Sequence, residues 1–116
     1  MYDKENIFAK ILKNEIPCVR IYEDEFSLFI NDISPQAKIH VLGLPKTQCI
    51  DFSDFISVSD DRTLRSFFKS INIVIDKLGI REKGYRLITN SGNHGGQEVP
   101  HFHVHILAGE KIGPLR

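Results

Sequence analysis

The sequence predicts an α+β domain: a five-stranded antiparallel sheet carrying one long and one short helix. Two patterns predict it. Five short apolar stretches bounded by turn-forming residues lie mostly beside the stretch each would pair with, the arrangement of an antiparallel sheet. One apolar repeat of helical period, Leu64 to Leu78, runs for about four turns between the third and fourth stretches. Composition sets the scale. The 116 residues are 41% hydrophobic and 26% charged, as in an ordinary globular domain. No repeat, low-complexity tract or Pro/Gly/Ser-rich linker divides residues 1–116, so one domain is expected.

The elements follow in order. Ile7, Phe8, Ile11 and Leu12 recur at helical spacing in NIFAKILKNE, with Asn6 as N-cap, and Ile16-Pro17 sets the limit because proline disfavours helical geometry in the residue before it. Val19 to Tyr22 and Phe26 to Ile30, separated by Glu23-Asp24-Glu25, read as a β-hairpin with a solvated acidic turn. Asp32-Ile33-Ser34-Pro35-Gln36 turns the chain into a third strand, Ile39 to Leu44, ended by Pro45. Leu64, Phe67, Phe68, Ile71, Val74, Ile75 and Leu78 mark the long helix, about residues 60 to 78, with Ser59 or Asp60 as N-cap and Gly79 as its stop. Tyr85 to Thr89 and Phe102 to Leu107 complete the sheet and bracket a glycine-rich loop, Asn90 to Pro100.

Charge and hydropathy exclude several classes of function. Fifteen Lys plus Arg balance fifteen Asp plus Glu, so the chain has no bulk field for nonspecific nucleic-acid or membrane-surface binding. Its longest apolar runs are three residues, against the roughly 20 needed to cross a bilayer. The first ten residues, MYDKENIFAK, have no apolar h-region, and a cytoplasmic protein is expected. Cys18 and Cys49 stand alone, without metal-binding spacing, and read as free thiols.

The chemistry concentrates in Val99-Pro100-His101-Phe102-His103-Val104-His105-Ile106-Leu107. On extended chain, His101, His103 and His105 project to one face, about 6 to 7 Å apart, while Phe102, Val104 and Ile106 project to the other. Imidazole is both a metal ligand and a nucleophile or acid-base group near neutral pH, so two chemistries compete. Zinc held across the strand would lack a carboxylate shell, and ligands on one strand face diverge. The nucleophile reading uses more of the surroundings, because Gly95-Gly96 can present backbone N–H groups to phosphate oxygens and Gln97 can donate beside them.

His101-Phe102-His103-Val104-His105-Ile106-Leu107 resembles the signature of the histidine triad family, His-φ-His-φ-His-φ-φ with φ hydrophobic. The resemblance extends through Ile7-Phe8-Ala9-Lys10-Ile11, Glu15-Ile16-Pro17, Asp32-Ile33-Ser34-Pro35-Gln36-Ala37, His40, Pro45-Lys46, Gly84-Tyr85-Arg86-Leu87 and Gly95-Gly96-Gln97-Glu98-Val99, which look like the nucleoside phosphoramidase branch in a bacterial form. It implies that His103 is a nucleophile toward the α-phosphorus of a purine nucleoside phosphoramidate or acyl-adenylate, passing through a nucleotidyl-histidine intermediate. His101 would fix the central ring through its backbone carbonyl, His105 would lie beside the phosphate, and His40 would join them from the third strand. The implied nucleotide site comprises Asp32 at the ribose hydroxyls, Phe8, Ile11, Ile33 and Leu42 around the base, Asn90 at ribose or phosphate, and Gly96, Gln97, Glu98 and Val99 along the phosphate loop. The resemblance also implies a homodimer pairing through the long helix and a strand edge, and no cofactor or metal.

Plain structural alternatives stand beside these roles: Asp32 as a turn residue, Phe8, Ile11 and Leu42 as core, Asn90 as a loop cap. Glu98 occupies a place where some members carry serine, Ile30 one where some carry an aromatic residue, and His94 has no implied role. A non-catalytic nucleotide-binding adaptor and a histidine-rich metal-binding protein are the competing functions.

Overall fold

The computed structural model describes residues 1–115. Eight elements follow one another: α1 (Ile7–Leu12), β1 (Arg20–Glu23), β2 (Ser27–Asn31), β3 (Ile39–Pro45), α2 (Phe52–Val58), α3 (Asp61–Leu78), β4 (Arg86–Ile88) and β5 (Val104–Ala108). The strands form one antiparallel sheet in the order β1-β2-β3-β5-β4. The last strand therefore enters between β3 and β4, with His105 directly opposite Leu42.

Each sheet face has its own cluster. Phe29, Val41, Phe102, Val104 and Ile106 pack with Phe55 of α2 and Phe67, Ile71, Val74 and Ile75 of α3. The other face carries Leu28, Ile30, Leu42 and Leu44 against Phe8 and Ile11 of α1. Alternation along β2, β3 and β5 sorts the two sets, and a register slip of one residue would exchange them. Gly43 is required where β3 passes the ring of Phe29, since a Cβ there would lie 2.5 Å from that ring.

Local signals explain the helix ends. Asn6 and Asp60 accept bonds from Ala9 N–H and Thr63 N–H, capping α1 and α3. Asn14, at φ 63°, closes α1 by sending its N–H to Ile11 O while Glu15 N–H reaches Lys10 O, a Schellman motif that ends the helix at Leu12. The helix thus stops well before the expected Pro17 limit. Gly79, at φ 69°, ends α3 in the same way.

Four further departures from expectation have physical causes. The sheet carries three helices rather than one long and one short. The extra α2 forms because the Asp51 side chain caps Asp54 N–H and Phe55 buries against Phe67 and Phe102. Phe68, expected on the buried stripe of α3, is 47% exposed, because the sheet covers a narrower face than the apolar stripe offers. Asp24 is not simply solvated: its carboxylate accepts Phe26 N–H, Ser27 N–H and the hydroxyls of Ser27 and Ser70, tying the hairpin turn to α3. Finally, the β5 ladder begins at Val104, so His101 and His103 precede the paired strand. Phe102 N–H bonds Cys49 O instead of a neighbouring strand, yet the in–out alternation holds through 101–106.

Candidate active site

Four histidines gather on the α1 face, where β3 and β5 lie side by side. His101, His103 and His40 are buried and His105 is half-buried. Ring centroids are 5.1 Å apart for both His103–His105 and His40–His105. The edge of Phe8 meets His103 at 4.9 Å, so α1 positions the central ring by packing.

Hydrogen-bond partners assign each tautomer, since a carbonyl can only accept and a backbone N–H can only donate. His103 Nδ1 lies 2.7 Å from His101 O, so the proton sits on Nδ1 and the Nε2 lone pair is free. His101 Nε2 donates to Pro45 O at 2.9 Å, leaving Nδ1 to accept from the Tyr2 hydroxyl at 2.6 Å. His40 Nδ1 accepts Gln36 N–H at 3.0 Å, which places the His40 proton on Nε2. That proton faces His105 Nδ1 at 2.9 Å, leaving the His105 proton on Nε2. Asp32 stands 3.4 Å from His40 Nε2 and accepts Ser34 N–H through its other oxygen.

Burial keeps these rings neutral. Desolvation lowers His101 to about 4, further helped by the neighbouring His103 and opposed by the Pro45 carbonyl. His105 is also brought to about 4, by desolvation and by the adjacent His103 and His40. Desolvation likewise lowers His103 and His40, against the His101 carbonyl and Asp32 for the first and Asp32 for the second. A neutral imidazole with its Nδ1 proton held by a carbonyl and a bare Nε2 is the nucleophilic form of histidine.

The donor atoms of Asp32, His40 and His105 come within 4.8 Å of one another, near enough to share an ion. Their bonding disfavours one. A metal on His40 Nε2 would leave that ring without either proton while Nδ1 still accepts Gln36 N–H, whereas metal-bound histidines normally donate through the second nitrogen. The carboxylate absent from the linear reading is present as Asp32, which faces His40 Nε2 at 3.4 Å and accepts Ser34 N–H.

The glycine-rich loop is braced from within. Gln97 Nε2 donates to Ile50 O and Val99 O, and its Oε1 accepts Gly92 N–H. Asn90 donates to Gly95 O, while the N–H groups of Gly96 and Gln97 bond Asn93 O and Gly92 O. The expectation of outward donors is therefore corrected at Gly96, whose N–H closes the turn, and at Gln97, whose side-chain amide donates within the chain. A Cβ on Gly95 would collide with the Ser91 carbonyl. Glu98 is exposed and Val99 half-buried against the α1-side cluster. Ile33 is 95% exposed, whereas Phe8, Ile11 and Leu42 are packed in that cluster. His94 is exposed. Tyr2 and the Pro45 carbonyl were not singled out by sequence patterns, because both reach His101 from distant parts of the chain.

A family model described as the HIT domain matches residues 13–112. The chain belongs to the HIT family. Purine nucleoside phosphoramidase of Escherichia coli K12 is 39% identical over 112 residues, covering 97% of this chain and 93% of that protein. A HIT family hydrolase from Clostridium thermocellum superposes with a TM-score of 0.83 at 41% identity, covering 97% and 96% of the two chains. A histidine triad protein from Clostridium difficile gives 0.87 at 36% identity over the whole of both. These HIT similarities span all five strands and the four clustered histidines.

Proposed function

We propose that the protein is a hydrolase acting at the α-phosphate of purine nucleoside phosphoramidates or acyl-adenylates, with His103 as nucleophile and no metal. The observation that carries this reading is the 2.7 Å contact of His103 Nδ1 with the His101 carbonyl, which puts the proton on Nδ1 and leaves Nε2 without a hydrogen-bond partner among the described residues. Similarity to the E. coli phosphoramidase supports the substrate class.

In the proposed reaction, Nε2 attacks phosphorus and the bond from phosphorus to the amine or acyl oxygen breaks. The leaving atom keeps the bonding pair, and a departing amine takes its added proton from solvent water. The Nδ1–H bond to His101 O then supports the positive charge that the imidazole acquires. Water attacks the nucleotidyl-histidine and gives one proton back to solvent, the P–Nε2 bond breaks with its pair returning to Nε2, and the 5′-monophosphate leaves a neutral His103. His105, with Nδ1 engaged by His40, offers its Nε2–H to phosphoryl oxygen, and Asp32 and His40 hold that tautomer. Asp32 retains acceptor capacity for ribose hydroxyls. Gly96, Gln97, Glu98, Val99 and Asn90 shape the phosphate side, while Phe8, Ile11, Ile33 and Leu42 border the base.

Hydrolysis of a fluorogenic adenosine 5′-phosphoramidate in excess EDTA tests this reading. Wild type turns over, and His103→Ala loses about 10⁴-fold or more in kcat while keeping AMP binding. Turnover by the variant at the wild-type rate contradicts the assignment; AMP binding without turnover in both proteins favours the adaptor.

We further propose that residues 1–116 act as one cytoplasmic HIT domain and as a homodimer. Support for the dimer comes from exposed Phe68 and Ile73 on α3 and from Tyr85 and Leu87 at the β4 edge. Support for a reducing compartment comes from the free thiols of Cys18 and Cys49. Sedimentation equilibrium should give a dimer that Phe68→Glu converts to monomer; a monomeric wild type contradicts it.

A further inference from the structure

Tyr2 makes the longest-range polar link in the active site. Its hydroxyl lies 2.6 Å from His101 Nδ1, across 99 positions of sequence. His101 is fully buried, and its other nitrogen already donates to Pro45 O, so the phenol is the donor to Nδ1. The two rings also meet edge to face at 5.7 Å. The segment before α1 is built to deliver this contact: Asn6 donates to Asp3 O through both its backbone and side chain, and Asp3 accepts Glu5 N–H.

The consequence passes through one residue. His101 contributes to His103 not by its ring but by its carbonyl, which holds the His103 Nδ1 proton at 2.7 Å. Bonds at both ring nitrogens fix the His101 side chain, and a fixed side chain fixes the attached backbone. We infer that Tyr2 is a positioning residue for the nucleophile, clamping His101 so that its carbonyl keeps the proton on His103 Nδ1 and the lone pair on Nε2. This inference rests on reading His103 as the nucleophile.

Without the phenolic hydrogen, His101 Nδ1 becomes a buried acceptor with no partner, and the ring can rotate or admit water. Either change moves the carbonyl and releases His103 to exchange tautomers. Supporting residues of this kind typically change activity by one to two orders of magnitude.

Tyr2→Phe separates the bond from the packing, because it keeps the ring against His101. The expected result is a kcat lowered about 10-fold with KM unchanged within about twofold. Two-bond ¹H–¹⁵N spectra of the folded variant should also show His103 passing from a single Nδ1–H tautomer to a mixture. A wild-type kcat, or a His103 spectrum unchanged by the substitution, overturns the inference. His103→Ala serves as the control for the underlying reading: its retention of turnover would refute the nucleophile, while the Tyr2→Phe spectrum would still decide whether Tyr2 fixes the His103 tautomer.

Discussion

The two faces of the sheet bury comparable side chains by different rules. Against α2 and α3, Phe29, Phe55, Phe67 and Phe102 form a cluster of buried rings, some stacked and some edge to face, whose fit is a matter of shape. Against α1, the buried set includes His40, His101 and His103, and each polar nitrogen used to fix a tautomer has a named partner. The first face can exchange volume for volume. The second fails when a single partner is lost, because an unsatisfied buried polar group carries its full desolvation cost.

The sharpest test of the apolar face is a cavity. Phe67→Ala removes a ring touching Phe29, Phe55 and Phe102, and should lower unfolding free energy by about 3–5 kcal/mol in urea titration. The tautomers of His103 and His105 should be unchanged in the folded fraction. Altered tautomers there would mean that the two faces are one coupled unit.

A graded, pH-dependent effect belongs to the histidine face. His101 and His105 remain neutral in the fold down to about 4, whereas the unfolded chain takes up protons near 6.5. Their contribution to stability is complete above about 6.5, is lost as pH falls from there toward about 4, and levels off below. Urea midpoints measured across that window should fall with pH, and a flat profile would show that these rings are not held neutral by burial.

Much of this division was legible in the chain. The His101–Phe102–His103–Val104–His105–Ile106 alternation places histidines and core residues on opposite faces even though pairing begins only at Val104. The repeat through Leu64–Leu78 marked α3 because its period persists for several turns, though it could not show that Phe68 lies beyond the sheet's edge. The cap at Asp51 and the Phe52, Phe55, Ile56 spacing were present for α2, but a helix of 7 residues offers too few turns for its period to stand out. The internal bonding of Gln97 and the Tyr2–His101 clamp depend on backbone groups or on residues far apart in the chain, and no linear pattern encodes them.

Intact-protein and peptide mass spectrometry after rapid acid-free quenching of a single turnover with adenosine 5′-phosphoramidate tests the central claim most directly. The account predicts a transient nucleoside monophosphoryl adduct on His103, absent from His103→Ala. Turnover that proceeds with no adduct at any time, or an adduct on His101, His105 or His40 instead, would contradict it.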